Sequence, residues 1–167
     1  MKTLYLWRHA KSDWGSIDLD DHDRALSTRG NTDAPRMAAA MKEQGYVPEK
    51  ILCSTARRTH QTLNHLQNVI GTNIPVSLDQ SLYLAPPQIL LKAIRSAKDI
   101  GSVMIIAHNP GLEDLAAQLC SADGPTTPNF PTCGFAVFEF DIENWKEAAP
   151  GTGMLKDFLT PKTLAAQ

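Results

Sequence analysis

The sequence predicts an α/β protein, a three-layer α/β/α sandwich around a mostly parallel central sheet. Three observations carry that expectation. Short unbroken apolar runs, Leu4–Trp7, Ile51–Cys53 and Val103–Ala107, have the length and composition of buried strands. Between them lie stretches whose apolar residues recur every three or four positions, the period of a helix packed on one face. Near the end, Phe135–Phe140 alternates, and Leu155–Leu159 can pair with it as an edge strand. Strands alternating with helices, then a hairpin, make a parallel sheet covered on both sides with an antiparallel edge.

Taken in order, Leu4–Trp7 forms the first strand, and residues 11–29 lack a clean period and read as a long covering loop. Ala34, Met37, Ala38 and Met41 mark the first helix, with Pro35 expected in its first turn and Gly45 as its stop. Lys50–Ser54 is the second strand. Thr59, Leu63, Leu66 and Ile70 line the next helix, which Gly71 closes. Pro75–Leu78 suits a short strand, and Pro86-Pro87 opens a helix carrying Leu90, Ala93, Ile94 and Ala97. Ser102–Ala107 is the strongest strand, and Leu112, Leu115, Ala116 and Leu119 form the helix behind it. A proline-rich loop, Asp123–Pro131, then leads into the hairpin and a short tail.

The chain of 167 residues is expected to form one domain over its full length, 1–167. A formal net charge of −2 argues against a general affinity for nucleic acid, which needs a basic face, yet leaves room for a local cationic pocket. No apolar run reaches the roughly 20 residues of a membrane span. The N-terminal run turns charged at Arg8 too soon for a secretory signal, so the expected compartment is the cytoplasm. Cys53, Cys120 and Cys133 are odd in number and irregularly spaced, which suits reduced thiols better than disulfides or a zinc site.

Two strands end in histidine: the first in Arg8-His9, the fourth in His108-Asn109-Pro110-Gly111. Another ends in Ser54-Thr55-Ala56-Arg57-Arg58 at a helix start. If these strands are parallel neighbours, their carboxyl ends meet on one rim, where ligands of open α/β sheets sit. That rim holds two imidazoles and at least two guanidiniums, with no carboxylate that the spacing obliges to be near. Such cations repel one another unless an anion lies among them, and the fork of an arginine matches two phosphoryl oxygens at once. Helix starts after Ser54 and Pro110 add backbone N–H donors.

Arg8-His9, the segment Ser54-x-x-x-Arg58-x-x-Gln61-Thr62 and His108-Asn109-Pro110-Gly111 together resemble the histidine phosphatase superfamily, also called phosphoglycerate-mutase-like. The opening Arg8-His9-Ala10-Lys11-Ser12-Asp13-Trp14 and the Arg24-Ala25-Leu26-Ser27-x-x-Gly30 segment look most like its SixA branch of phosphohistidine phosphatases. The resemblance implies a phosphoglycerate-mutase-like fold and a phosphatase with His9 as nucleophile. It also implies that Arg8, Arg58 and His108 clamp the phosphoryl oxygens, with no metal or cofactor. The implied partner is a phosphorylated protein, with a small phosphorylated metabolite as the alternative substrate and a non-catalytic phospho-ligand module as the alternative of another class.

The chain departs from the family pattern in places. Ala10 replaces the usual glycine and Thr55 the usual proline, and Arg57 beside Arg58 leaves the clamp ambiguous until the register with Gln61-Thr62 selects Arg58. No glutamate matches the usual general acid around Asp79–Tyr83, where Asp79 is the weak candidate. A phosphoramidate leaves as a nitrogen base that solvent can protonate, so this gap favours phosphohistidine over alkyl phosphates.

Other features have plainer readings. Lys11 and Ser12 either touch substrate or belong to a solvated loop. His22, His60 and His65 read as ordinary surface residues, Asn109 as shaping its turn, and Glu113 as a first-turn helix residue. The acidic run Asp18–Asp23 fails the calcium-loop template, with Asp23 at the sixth position and Arg29 at the twelfth. Cys53 stands one residue too close to Arg58 for a cysteine phosphatase loop, and the chain has no nucleotide phosphate loop.

Overall fold

A six-stranded sheet in the order β3-β2-β4-β1-β5-β6 divides the molecule. The strands are β1 (Lys2–Arg8), β2 (Lys50–Ser54), β3 (Val76–Asp79), β4 (Ser102–Ala107), β5 (Phe135–Phe140) and β6 (Gly153–Leu159). Strands β1 to β4 run parallel, and β5 and β6 add the antiparallel edge. The helices are α1 (Thr28–Gln44), α2 (Arg57–Ile70), α3 (Pro87–Arg95), α4 (Gly111–Leu119) and α5 (Pro161–Ala165). The computed structural model describes residues 1–166.

Two cores form because the central strands are apolar on both faces. Leu4, Leu6, Val103 and Ile105 pack against Leu90 and Ile94 of α3 and Leu112 and Leu115 of α4. The intervening Tyr5, Trp7, Met104 and Ile106 pack against Met37 and Met41 of α1 and Leu63 and Leu66 of α2. Period-two side chains thus feed both outer layers, as the unbroken apolar runs require. The fold is the expected three-layer α/β/α sandwich with a mostly parallel sheet.

Register sets the functional rim. β4 lies between β1 and β2, with Arg8 opposite Ala107 and Cys53 opposite Ile106. The carboxyl ends of the three strands therefore finish side by side. His9 and His108, which follow β1 and β4, and Ser54, the last residue of β2, emerge on one edge, where α2 and α4 also begin.

Two local expectations need correction. Residues 11–29 are not all loop: α1 begins at Thr28, capped by Ser27, whose hydroxyl accepts from the Gly30 N–H at 3.1 Å. Pro35 consequently lies inside the helix rather than in its first turn. The cap sits in a polar stretch ahead of the apolar stripe, so periodicity alone starts the helix a turn or more late. The tail after β6 is the short helix α5, whose Thr160 and Thr163 form a reciprocal cap. Gly45 does close α1, in the left-handed conformation that favours glycine (φ 78°).

All three thiols are free, with Cys53 and Cys133 buried. Burial pushes both up to about 12. Among the described residues no helix is long and apolar enough to cross a membrane.

Candidate active site

His9 follows the last residue of β1, and its backbone is held on both sides. Its N–H donates to Ala107 O at 3.2 Å, and its carbonyl accepts from Cys133 N–H at 2.9 Å. The ring is buried, with Nδ1 at 2.7 Å from Ala10 O. A carbonyl oxygen only accepts, so Nδ1 carries the proton and Nε2 keeps its lone pair. Arg58 Nε–H points at that Nε2 from 3.4 Å. Burial pushes His9 down to about 3; the Ala10 carbonyl pulls upward, and the nearby Arg58, Arg8 and Arg24 guanidiniums add to the fall. The result is a neutral imidazole with a directed, unprotonated nitrogen.

His108, one residue beyond β4, lies with its ring centroid 5.2 Å from that of His9. Its Nε2 is 2.7 Å from Ser54 Oγ, at the end of β2. Burial, then the neighbouring His9 and Arg58, pushes it down to about 2. Among the described residues its Nδ1 is buried without a hydrogen-bond partner, and so is Arg8 Nε. Arg8 is anchored by Nη1–H to Phe130 O at 3.0 Å, and Asn109 Nδ2–H shares that oxygen at 2.8 Å. Asn109 Oδ1 also accepts from Glu113 N–H, and Glu113 Oε1 from Phe130 N–H. Asn109 and Glu113 thus fix the segment that holds Arg8.

Arg58 and Arg57 separate cleanly. Arg58 is buried in the site, whereas Arg57 is exposed on the first turn of α2. Thr62, one turn on, accepts from Ala10 N–H at 3.1 Å, and Gln61 Oε1 accepts from Leu26 N–H at 2.7 Å. One face of α2 therefore ties down both the residue after His9 and the loop over it.

The site does contain a carboxylate near the arginines, contrary to expectation. Asp21 accepts from Arg58 Nη2 at 3.0 Å with Oδ2 and from Arg24 Nη1 at 2.8 Å with Oδ1, and its backbone oxygen accepts from Arg58 Nη1 at 2.7 Å. The Tyr83 hydroxyl donates to the same Oδ2. The hydrogen bonds from Tyr83, Arg24 and Arg58 hold the Asp21 carboxyl well below the usual range, so it stays ionised. Sequence patterning missed Asp21, Arg24 and Tyr83 because no apolar strand leads to them. Asp21 is delivered by a tertiary excursion in which residues 11–13 pair with 25–27 through Ser12 and Leu26. The local signals were the charge pattern Asp21-x-x-Arg24 and the place of Arg24 at the head of the Arg24-Ala25-Leu26-Ser27-x-x-Gly30 segment.

Arg8, His9, Arg58 and His108 line one cavity of about 220 Å³, and Lys11, Ser12, Arg24 and Trp14 line it too. Arg24 donates to Ser12 Oγ at 2.6 Å and lies 4.5 Å above the Trp14 ring. Among the described lining residues none carries a carboxyl group. Asp79 is not brought to this cavity. Its carboxylate accepts from Ser81 N–H at 2.8 Å, starting a 3-10 turn, and it faces another depression with Ser81 and Lys92. His22 meets Thr55 Oγ1 at 2.9 Å beside Tyr83, while His65 meets Asn31 away from the cavity.

Known proteins resemble this chain in sequence and in fold. The profile of the histidine phosphatase superfamily (branch 1) matches residues 4–83. The phosphohistidine phosphatase SixA of Escherichia coli is 30% identical over 167 residues, covering 92% of this chain and 98% of that protein. An uncharacterised protein of Mycobacterium leprae is 34% identical over 165 residues, covering 93% and 99%. The chain belongs to the histidine phosphatase superfamily. Among solved structures, a candidate phosphohistidine phosphatase SixA from Agrobacterium tumefaciens superposes with a TM-score of 0.81 at 30% identity, covering 96% of this chain and 98% of that one. A SixA complexed with tungstate shares the fold, with a TM-score of 0.81 at 24% identity, covering 97% and 99%.

Proposed function

We propose that this superfamily member is a phosphohydrolase that works through a phosphohistidine on His9 and acts on phosphohistidine carried by a protein. One observation carries the reading: the unprotonated Nε2 of His9 stands at a cavity lined by arginine cations, where two buried nitrogens, Arg8 Nε and His108 Nδ1, have no hydrogen-bond partner among the described residues. A buried Arg8 Nε–H is costly unless satisfied, and a phosphoryl oxygen satisfies it.

In the proposed reaction His9 Nε2 attacks phosphorus, the bond from phosphorus to the substrate imidazole breaks, and the leaving nitrogen takes a proton from solvent. Water then attacks the phosphorus of phosphohistidine, the bond to His9 breaks, and phosphate leaves. Arg8 and Arg58 stabilise the charge on the equatorial oxygens, and His108 joins them once the bound anion raises its proton affinity. The Ala10 carbonyl holds the proton of Nδ1 and steadies the imidazolium-like intermediate.

The absence of a carboxyl group from the described cavity lining, with Asp21 held ionised and Asp79 turned away, supports a substrate whose leaving group needs no enzymic acid. Side chains supply the positive charge, so the proposal calls for no divalent cation. The relatives described as phosphohistidine phosphatases support the same substrate class.

The test is phosphate release from a phosphohistidine protein and from a panel of alkyl phosphate esters, in chelator, by the wild type and by His9→Ala. Release in chelator that favours the phosphohistidine protein and vanishes in the variant is expected. Release by His9→Ala at the parent rate removes the nucleophile, and faster turnover of the alkyl esters removes the substrate assignment.

A further inference from the structure

The catalytic cavity, at about 220 Å³, takes a phosphoryl group and the ring that bears it, but not the polypeptide on either side. The chain flanking a phosphohistidine must lie on the surface around the mouth. That surface is not uniform. On one side is a larger groove of about 600 Å³, where Pro131, Phe158 and Pro161 form an apolar lining and Arg29 and Lys162 add positive charge. A separate depression of about 470 Å³, joined to the site through Tyr83, whose ring meets His108 edge-on, includes Asp20 and Asp23.

The groove adjoins the catalytic cavity, since Thr132 lines both. The wall between them is one short segment. The Phe130 carbonyl anchors Arg8 and Asn109 on the catalytic side, while the Phe130 ring packs edge-on against Phe158 beneath the groove, with centroids 5.1 Å apart. Arg29 meets Asp33 with Nε at 3.3 Å, and both Arg29 and Lys162 are exposed, so their charge is available to a partner.

We infer that this groove docks the segment of the protein substrate that flanks its phosphohistidine, and that it selects flanks combining apolar and acidic residues. The inference rests on the phosphohistidine reading above. Apolar contact with the prolines and Phe158 supplies burial, and the two cations of the groove favour acidic residues in the segment that lies there. A substrate with basic flanks is drawn to Asp20 and Asp23 instead and presents its phosphoryl group less often.

Three probes test this: a phosphohistidine peptide with acidic and apolar flanks, the same peptide with lysines in place of the acids, and phosphoimidazole, which has no flanks. Each is assayed with the wild type and with Arg29→Glu/Lys162→Glu, whose changes lie on exposed positions outside the catalytic cavity. The wild type is expected to prefer the acidic peptide by about tenfold in kcat/KM. The double variant is expected to lose or invert that preference through KM, with phosphoimidazole turnover unchanged. An unaltered flank preference in the variant, or an equal fall on phosphoimidazole, overturns the groove while leaving the catalytic reading intact. No hydrolysis of any probe by the wild type overturns the catalytic reading and the groove with it.

Discussion

His9 and His108 are two buried bases that the folded protein keeps neutral, at about 3 and about 2 against an ordinary 6.5. The unfolded chain therefore binds protons below 6.5 that the native state refuses. Stability from these groups is complete above 6.5 and falls as pH drops toward 3, because the unfolded state gains the protons. Between pH 7 and 4.5 the expected loss is up to about 2–3 kcal/mol per histidine, measured by denaturant unfolding without phosphate. Asp21 acts in the same direction, since its lowered carboxyl is lost on protonation, but only below its unfolded value near 4. A His9→Gln protein should show a shallower slope over that window; an unchanged slope would mean that His9 is not held neutral by the fold. Arginine burial gives a second expectation at this scale. Arg58→Ala should lower kcat/KM by about 10²–10³, and Arg57→Ala should leave it within about twofold. Asp21→Asn keeps the shape but weakens the tether on Arg58 and Arg24. A fall of about tenfold in kcat/KM with little change in melting temperature is expected, and a wild-type rate would show that the tether is dispensable.

Among the elements, α1 carries the clearest consequences. A Cβ on Gly30 would collide with the backbone oxygen of Lys11, which also accepts hydrogen bonds from Ser27 N–H and Ser27 Oγ–H. The first turn of the helix and the chain just past His9 are thus in direct backbone contact. Gly30→Ala should push residues 11–13 away from the cavity and reduce kcat/KM more than it reduces stability. A destabilised enzyme whose folded fraction keeps full activity would argue against that coupling. Pro35 has no N–H for the helix interior, so Pro35→Ala is expected to raise stability by about 1 kcal/mol, read as a higher melting temperature. The same helix marks the limit of sequence reading. Its apolar stripe was legible from Ala34 onward, but its start depended on a serine cap and on pairing between residues 11–13 and 25–27, neither of which leaves an apolar period.

Across the whole molecule, what was legible is what contiguous strands determine. Arg8, His9, Ser54 and His108 each stand at the end of an apolar run, so placing three parallel strands side by side brings these residues together. Arg58 follows from the helix that starts there. Arg24 reaches the same cavity from an irregular excursion, and Asp21 and Tyr83 stand behind its arginines, where position depends on contacts distant in sequence. Asp79 shows the converse error: it ends a strand, but β3 lies at the sheet edge, and its carboxylate turns to cap the next turn of chain.

The sulfur chemistry of the chain has a consequence for conditions of oxidative stress. Phosphatases with a thiolate nucleophile are silenced by peroxide because the anion that attacks phosphorus is also the form that oxidises. Here Cys53 and Cys133 are sealed in the core as neutral thiols, and the nitrogen facing the cavity belongs to an imidazole. Millimolar peroxide or iodoacetamide should leave phosphate release intact, so the activity would persist while thiolate-dependent phosphatases in the same solution fall silent.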